Sequence, residues 1–277
     1  MPPLQPAPPP VFVEHHLQAS STQDLARARP QAAHGDTFVA RHQLRGRGRQ
    51  GRSWTSGAHA GVWMTTVLYV DASGQLSTLS LVAGLSVRRA LADFGHVTAL
   101  KWPNDLLLAG GKVAGVLVEA ELVGDRARLM VGIGVNLGRP PVGADWRGLP
   151  PAALVPDLAA ADPAATEALR RALAAAVATH LVADCATWQE HGWAAFAGAF
   201  AAVDALDGQW VEGAGPGRGT AAGRARGVDA GGRLLVDTAD GRQAFAAGEV
   251  RWRPPGTPAL PPGGGRETGR RRGPVLD

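Results

Sequence analysis

The chain has 277 residues, of which 45% are hydrophobic, so it can bury the core of one large domain with a small appendage. Its single cysteine, Cys185, excludes an intramolecular disulfide and a cysteine-based zinc site. The formal net charge is +4, but residues 41–52 alone contain five arginines and no acid. The basic charge is therefore local, which argues against a protein that binds nucleic acid with a whole basic face.

The N-terminal part of the chain predicts short elements separated by one long loop. Residues 1–11 are rich in proline and predict a disordered lead without the apolar region of a signal peptide, which favours a cytoplasmic protein. Ser21 and Asp24 have the spacing of a capping box and predict a short helix towards Arg29. The next predicted elements are a strand at 37–41, a loop at 42–61, a strand at 62–70 and an amphipathic helix at 76–94.

The rest of the chain predicts strands, then helices, then strands again. Glycines at 110–111 and 124–125 predict hairpin turns. The predicted elements are strands at 98–102, 105–108, 112–123 and 126–135, helices at 166–184 and 188–200, and short strands between 208 and 253. These patterns indicate an α+β domain at 12–203, a small β-barrel at 204–253 and a disordered basic tail at 254–277.

Lysine and asparagine are rare in this arginine-rich chain. The only lysines are Lys101 and Lys112, and the only asparagines are Asn104 and Asn136. Lysine is a compact point charge on a flexible stem, whereas arginine is a planar fork, so the two are not interchangeable in a site. The clustering of all four residues within one short stretch therefore favours a functional site there, with chance clustering as the alternative.

The segment GRGRQGRSW at residues 46–54 alternates glycine with arginine. Glycine lets the backbone approach a ligand closely, and arginine donates bidentate hydrogen bonds to phosphate or carboxylate. The alternative is a disordered segment that binds RNA without specificity. Because the segment is short, precedes Trp54 and lies between two predicted strands, we favour a ligand-binding loop.

Two further segments hold the lysines. KWPND at 101–105 places a cation, an aromatic ring and two polar side chains within five residues, although Pro-Asn-Asp is also ordinary turn chemistry. In GKVAGVLVE at 111–119, strand alternation predicts that Lys112 shares a face with Ala114 and that it reaches a ligand lying over the sheet. The alternative for Lys112 is a lysine that protects an edge strand from aggregation.

The segment GIGVN at 132–136 has two glycines that permit close approach of a ligand or another strand, and Asn136 suits either ligand binding or a turn cap.

Each segment alone is a weak signal, but together and in this order they resemble the biotin–protein ligases, the biotin–[acetyl-CoA-carboxylase] ligases. The resemblance rests on Ser21-Thr22-Gln23, GRGRQGRSW, KWPND, GKVAGVLVE and GIGVN, and continues weakly in GRARGVDAGGRLLV at 223–236 and GEV at 248–250.

This resemblance implies a mixed β-sheet flanked by helices, of the class II aminoacyl-tRNA synthetase and biotin ligase type, followed by a small SH3-like β-barrel. It also implies an enzyme that joins biotin to ATP with Mg²⁺, giving biotinyl-5′-AMP and pyrophosphate. The enzyme then transfers biotin to one lysine of a biotin carboxyl carrier protein. Because a carboxylate that attacks an α-phosphate brings two anions together, cations are the main catalytic requirement.

The same resemblance implies roles for individual residues. Arg49 and Lys112 are the implied catalytic cations, and Asp105 is the implied metal ligand. The residues implied to bind biotin are Ser21, Thr22, Gln23, Gln43, Arg47, Gly48, Arg49, Lys112 and Gly115. Those implied to bind ATP or the adenylate are Arg49, Arg52, Trp54, Lys101, Asn104 and Asn136. We further expect residues 42–54 to be mobile in the free protein and to close over the adenylate.

Some members of this family carry an N-terminal helix-turn-helix domain, but the residues before Ser20 are too few for one, so we expect no specific DNA binding. The nearest competing function is a lipoate– or octanoate–protein ligase of the same fold, against which GRGRQGR and KWPND together favour biotin. More distant candidates are an arginine-rich nucleic-acid-binding protein and a catalytically silent regulatory homologue. No apolar stretch is long enough to cross a membrane. The sequence leaves the oligomeric state open, with a homodimer as one option.

Overall fold

The computed structural model describes residues 11–252 apart from 55, 56, 58, 73, 74, 142–147, 215–219 and 247. The predicted lead, except residue 11, and the predicted tail lie outside the described residues. The strands are β1 (Val13–His16), β2 (Thr37–Ala40), β3 (Gly61–Asp71), β4 (Ala99–Lys101), β5 (Asp105–Leu108), β6 (Gly111–Val123), β7 (Arg126–Asn136), β8 (Trp210–Ala214), β9 (Thr220–Val228), β10 (Leu234–Thr238), β11 (Gly241–Phe245) and β12 (Glu249–Arg251). The helices are α1 (Thr22–Arg27), α2 (Leu79–Asp93), α3 (Pro163–His191) and α4 (Ala194–Ala201).

Seven strands form the main sheet in the order β1-β2-β3-β7-β6-β5-β4. Strands β1 and β2 are parallel and all other neighbours are antiparallel, which confirms the predicted mixed sheet. Strands β5, β6 and β7 follow one another as hairpins. Gly110 and Gly124 close these hairpins at φ angles of 79° and 65°, which are left-handed conformations that glycine adopts without strain.

The two faces of the main sheet are covered by different helices. Alternate residues of β3 and β7, among them Met64, Leu68, Leu129 and Ile133, are buried in a core shared with α2 and α3. Because successive side chains of a strand point to opposite faces, the residues between them face the other way. That second face packs against α1 through a smaller apolar cluster, and it carries the residues that the sequence assigns to a ligand site.

Helix α3 differs from its prediction, because it runs unbroken over 29 residues where the sequence predicted two helices divided near 185–187. Tertiary packing keeps this region helical, since Cys185 in the predicted break and the flanking Asp184 and Trp188 are all buried. Burial raises the pKa of the Cys185 thiol to about 12, as expected for a packed rather than a reactive cysteine. Among the described residues, no helix combines the length and the apolar character that crossing a bilayer requires.

The C-terminal strands form a second, five-stranded antiparallel sheet in the order β11-β10-β9-β8-β12. The prediction of strands here is confirmed, but the described strands do not form a closed barrel. Closure would require pairing between the edge strands β11 and β12, and the described parts of the chain contain no such pair. The sheet contacts the main domain through Trp102, whose indole N–H donates to the carbonyl of Gly232 at 3.0 Å.

Asp204 follows α4 in the chain and forms an isolated bridge with Leu100 of β4. One carboxyl oxygen accepts from the Leu206 amide at 2.9 Å, and the other is buried without a hydrogen-bond partner among the described residues. Burial is the main cause that raises the pKa of Asp204 to about 6 from the ordinary 3.8. The folded protein therefore binds this proton more tightly than the unfolded chain does.

Asp204 should make the free energy of unfolding fall as the pH rises from about 4 to about 6, because in this range the unfolded chain has already lost the Asp204 proton whereas the folded protein still holds it. Asp204→Asn is expected to remove this dependence and to stabilise the protein by about 1–3 kcal/mol at pH 7. Urea unfolding of both proteins between pH 4.5 and 8 checks this. A difference between the two proteins that stays constant with pH would contradict it.

Candidate active site

A buried polar cluster lies at the start of α1, on the second face of the main sheet. Ser21 caps the helix by accepting a hydrogen bond from the Gln23 amide at 3.3 Å, which confirms the predicted helix start. The Thr22 amide and hydroxyl both donate to Gln43 Oε1, at 2.8 and 3.2 Å. The Thr65 hydroxyl of β3 donates to the Thr22 hydroxyl at 2.8 Å. Ser21, Thr22, Gln23 and Gln43, four of the residues predicted to bind biotin, are therefore all linked by hydrogen bonds or by adjacency in the chain.

Gln23 extends this cluster across the sheet. Its Nε2 donates to the Leu117 carbonyl of β6 at 3.2 Å. A Cβ added at Gly132 would lie 2.7 Å from the same nitrogen, so a larger residue there would displace the Gln23 amide. Gln23 Oε1 is buried and has no hydrogen-bond partner among the described residues. A buried acceptor of this kind is costly unless a partner satisfies it, so it is well suited to an N–H of a ligand.

The glycine–arginine loop (residues 46–54) forms a tight hairpin within the segment that the sequence predicted as a loop. Arg47 and Ser53 form an isolated antiparallel bridge, and the Gly48 amide donates to the Arg52 carbonyl at 2.7 Å. A single 3-10 turn at Arg49–Gly51 reverses the chain, with Gln50 and Gly51 at φ angles of 57° and 71°. The hairpin projects its arginines from a short, backbone-bonded frame.

Trp54 ends this loop and lies flat on a floor of two glycines. A Cβ added at Gly134 would approach the indole to 2.7 Å, and one added at Gly115 would approach it to 2.9 Å. These glycines are cross-strand partners in β6 and β7, so the ring rests where both strands lack a side chain. Trp63 of β3 meets Trp54 edge-on, with ring centroids 6.2 Å apart. The close approach that the glycines permit is thus made by Gln23 at Gly132 and by Trp54 at Gly134.

Lys112 points to this same floor. Its Nζ lies 4.9 Å from the centre of the Trp54 ring and forms an ion pair with Asp105 Oδ1 at 2.6 Å. The prediction that Lys112 shares a face with Ala114 is wrong, because Ala114 is buried in the core with α2 whereas Lys112 contacts Trp54. The cause is a register shift opposite Leu106 and Leu107, a bulge that inserts one extra residue into β6.

The KWPND segment lies close to the loop. The Asn104 amide donates to the Val116 carbonyl of β6 at 2.7 Å, and Arg49 Nη1 donates to Asn104 Oδ1 at 3.5 Å. Lys101 is buried and is the β4 partner of Asp105. These contacts bring Arg49, Lys112, Asn104 and Asp105 to one end of the sheet.

Asn136 and two of the loop arginines have other surroundings. The Asn136 amide donates to the carbonyls of Lys112 and Ala152, at 3.2 and 3.1 Å, so it fixes the backbone of Lys112. Arg47 is paired with Asp24 and lies 3.8 Å from Glu119, and Arg52 is exposed. For Asn136 and Arg47, the contacts seen are thus with the protein itself, and ligand contacts stay a prediction.

Sequence reasoning missed Thr65, Trp63, Asp24 and Glu119, all of which contact residues of the site. The alternation of β3 could have indicated Thr65 and Trp63, because both face away from the core that holds Met64. Asp24 and Glu119 lie within or beside the motif segments, but nothing in the local sequence distinguishes them from other acidic residues. Their contact with Arg47 is visible only in the folded structure.

Asp105 lies in this cluster, paired with Lys112, and one such carboxylate fits the way in which proteins hold magnesium with ATP. The described part of the chain contains no group of three or more histidine, cysteine, aspartate or glutamate residues placed to hold a metal. Mg²⁺ bound with a nucleotide usually takes one or two carboxylates plus phosphate oxygens and waters. One carboxylate beside a cation cluster is consistent with that mode.

Two family models match this chain. Residues 17–136 match the Biotin/lipoate A/B protein ligase family, and residues 208–251 match the Biotin protein ligase C terminal domain. A biotin–[acetyl-CoA-carboxylase] ligase of Mycobacterium tuberculosis is 34% identical over 82% of this chain and 82% of its own length. The chain belongs to the biotin protein ligase family.

Solved structures agree with this membership. The biotin protein ligase of Aquifex aeolicus, in complex with biotin and ATP, superimposes with a TM-score of 0.71 at 27% identity, covering 87% of this ligase and 98% of that chain. The biotin protein ligase of Leishmania major, in complex with biotinyl-5-AMP, superimposes with a TM-score of 0.54 at 25% identity. That match covers 86% of this ligase and 100% of the other.

Other curated relatives match only in part. The bifunctional ligase/repressor BirA of Bacillus subtilis is 38% identical over 46% of this chain and 41% of its own length. The matched segment therefore spans about two fifths of that relative. The α1 cluster, the glycine–arginine loop and the KWPND segment all lie within the range 17–136 that matches the family model.

Proposed function

We propose that this ligase activates biotin with ATP and transfers it to a lysine of a biotin carboxyl carrier protein. In the first step a biotin carboxylate oxygen bonds to the α-phosphorus of ATP and pyrophosphate leaves. In the second step the carrier amine attacks the biotinyl carbonyl, an amide forms, and AMP leaves with the bonding electron pair. The observation that carries this proposal is one sheet face with hydrogen-bonding groups at one end and cations at the other.

The two ends match the two ends of biotin. Gln23 and Trp54 rest on Gly132 and Gly134, which lie two residues apart on the same face of β7, or roughly 7 Å along the strand. Thr22, Gln23 and Gln43 offer hydroxyl and amide groups that complement a urea, which has one acceptor and two donors. Lys112 lies beside Trp54, where the carboxylate of a molecule bound by its urea ring would be placed.

The cations would act mainly by opposing the repulsion between carboxylate and phosphate. We assign this task to Lys112 and Arg49, which lie at the same end of the sheet, with Arg52 on the exposed side of the hairpin. Asn104 holds Arg49 near the KWPND segment, and Asn136 holds the backbone of Lys112. Such donors are effective because the fold positions them before the charge develops.

Asp105 would hold the Mg²⁺ ion that arrives with ATP, and the ion would supply further positive charge to the phosphates. Lys101 and Trp54 complete the proposed nucleotide side. We assign residues 12–203 to catalysis and 204–253 to a C-terminal sheet that supports the KWPND segment through Trp102. The homodimer and the cytoplasmic location stay predictions.

A lipoate–protein ligase is the second candidate, because the matching family model includes lipoate ligases. The polar cluster of Thr22, Gln23 and Gln43 disfavours it. Lipoate carries a disulfide ring without N–H or carbonyl groups, so the buried Gln23 Oε1 would stay without a donor, at a cost of about 1–3 kcal/mol.

Transfer of labelled biotin to a purified carrier domain tests the proposal. The expected result is ATP-dependent labelling of one carrier lysine, with no labelling of a carrier in which that lysine is replaced by arginine. Labelled lipoate offered in the same assay is the matched control, and its transfer should be about 10- to 100-fold slower, because the unpaired Gln23 acceptor discriminates against it. Transfer of lipoate but not of biotin would overturn the assignment.

A further inference from the structure

Arg47 is the first arginine of the glycine–arginine hairpin, and its guanidinium is directed at protein carboxylates. It forms an ion pair with Asp24 of α1, and its Nη1 lies 3.8 Å from Glu119 of β6. Both carboxylates are partly buried, with side-chain exposures of 40% and 28%. The hairpin is thereby joined to the helix and to the strand that form the two sides of the proposed biotin site.

Asp24 and Glu119 are themselves held in place from behind. Arg27 donates to Glu119 Oε2 at 2.7 Å and lies 3.4 Å from Asp24, so one guanidinium orients both carboxylates. Arg27 also pairs with Glu121 at 3.3 Å. The two carboxylates are therefore not free to follow the loop if it moves, and they present a fixed acceptor to Arg47.

The same arrangement fixes α1. Buried Arg128 of β7 donates to the carbonyls of Ala26 and Arg29 at 2.7 and 3.0 Å, and its Nη1 pairs with Glu121 at 3.1 Å. A guanidinium at the last carbonyls of a helix satisfies groups that the helix leaves unpaired. We name the set the α1–loop network; its members are Asp24, Arg27, Arg47, Glu119, Glu121 and Arg128.

We propose that Asp24 and Glu119 are positioning residues that hold the base of the hairpin, through Arg47, against α1 and β6. In this arrangement Arg47 acts as a tether, and the ligand anions are left to Arg49, Arg52 and Lys112. The inference rests on the proposed function, because it concerns how the loop keeps biotin and the adenylate in that site. It confines the expected mobility of the loop to the tip around Gln50.

The charges explain why such a tether is needed. Residues 41–52 carry five arginines, and like charges in one segment repel each other when no anion is bound. Two carboxylates at the base of the hairpin neutralise one of these arginines and fix the direction in which the others point. Without this anchor, the hairpin would leave the sheet more readily and the adenylate would escape.

Asp24→Asn and Glu119→Gln test the tether, since each removes one charge and keeps the size of the side chain. Each variant should raise the KM for biotin and the release rate of biotinyl-5′-AMP about fivefold, and both together about tenfold, with kcat within about twofold. Asp24→Glu keeps the negative charge, so its KM for biotin and its release rate of biotinyl-5′-AMP should stay close to those of the wild type. The matched control is Asp237→Asn, because Asp237 of β10 has a similar exposure, holds Arg226 and Arg242 at 2.8 and 2.7 Å in the C-terminal sheet and should change neither quantity.

Combination with Arg47→Ala separates a tether from a ligand contact. If Arg47 is a tether, Asp24→Asn adds nothing once Arg47 is alanine. If Arg47 instead binds the ligand, the two effects multiply, which would overturn the inference. Hydrogen exchange of the hairpin amides in the absence of ligands should rise in Asp24→Asn, and unchanged exchange would also overturn it. This measurement decides the matter even if the wild type fails to transfer biotin, a failure that would reject only the proposed function.

Discussion

Replacing Lys112 by alanine is expected to lower the rate of biotinyl-5′-AMP formation by about 100- to 1,000-fold, the usual effect of removing one preorganised charge from a reacting pair of anions. The ammonium group lies over the Trp54 ring at 4.9 Å and is fixed by Asp105 at 2.6 Å, so it needs no rearrangement when the carboxylate and the phosphate meet. Biotin-dependent exchange of pyrophosphate into ATP measures this first step by itself.

Lys112→Arg provides the control for charge. Arginine keeps the positive charge but replaces a compact ammonium with a planar fork, which does not fit between Trp54 and Asp105 in the same way. We expect a loss of about 10- to 100-fold, between the wild type and the alanine variant. When preformed biotinyl-5′-AMP is supplied, the alanine variant should lose less activity in the transfer to the carrier than it loses in the formation of biotinyl-5′-AMP. A loss below about fivefold in the exchange assay would show that Lys112 serves only to pair Asp105.

Much of this site could be predicted because its residues lie in short contiguous segments. The capping residue Ser21, the glycines that lie under Gln23 and Trp54, and the arginines of the hairpin are each visible from local sequence. The periodicity of β3, β6 and β7 likewise predicted a sheet, since strand alternation and glycine turns depend on neighbours in sequence.

The remaining features depend on contacts between distant residues. The bulge that turns Lys112 towards Trp54 arises from pairing with Leu106 and Leu107, which strand alternation alone does not reveal. The unbroken α3 is maintained where Asp184 meets Ser86 and Arg89 of α2. The tether of Arg47 joins segments that lie 23 and 72 positions apart in the numbering, so no local pattern could indicate it.

The glycine floor should be as important to the reaction as the cations are. Gly134→Ala adds a methyl group that would lie 2.7 Å from Trp54 Cε2, 2.8 Å from Cζ2 and 2.9 Å from Nε1. The strand is fixed on both sides by β3 and β6, whereas Trp54 ends a loop, so the indole is the group that moves. Its displacement also removes the ring on which Lys112 rests.

We therefore expect Gly134→Ala to lower kcat/KM for biotin about 10- to 100-fold, since a displacement of about 1 Å in a positioning group has effects of this size. The free energy of unfolding should change by about 1 kcal/mol or less, because the clash is relieved by a loop. Gly198→Ala in α4 is the matched control, as nothing lies within 4 Å of an added Cβ there and the activity should be unchanged. If Gly134→Ala keeps full activity while hydrogen exchange shows the hairpin released, then Trp54 does not contribute to holding biotin or its adenylate. If Gly134→Ala instead loses both activity and stability, then β7 has moved rather than the Trp54 ring. The two glycines would then support activity by keeping the sheet intact.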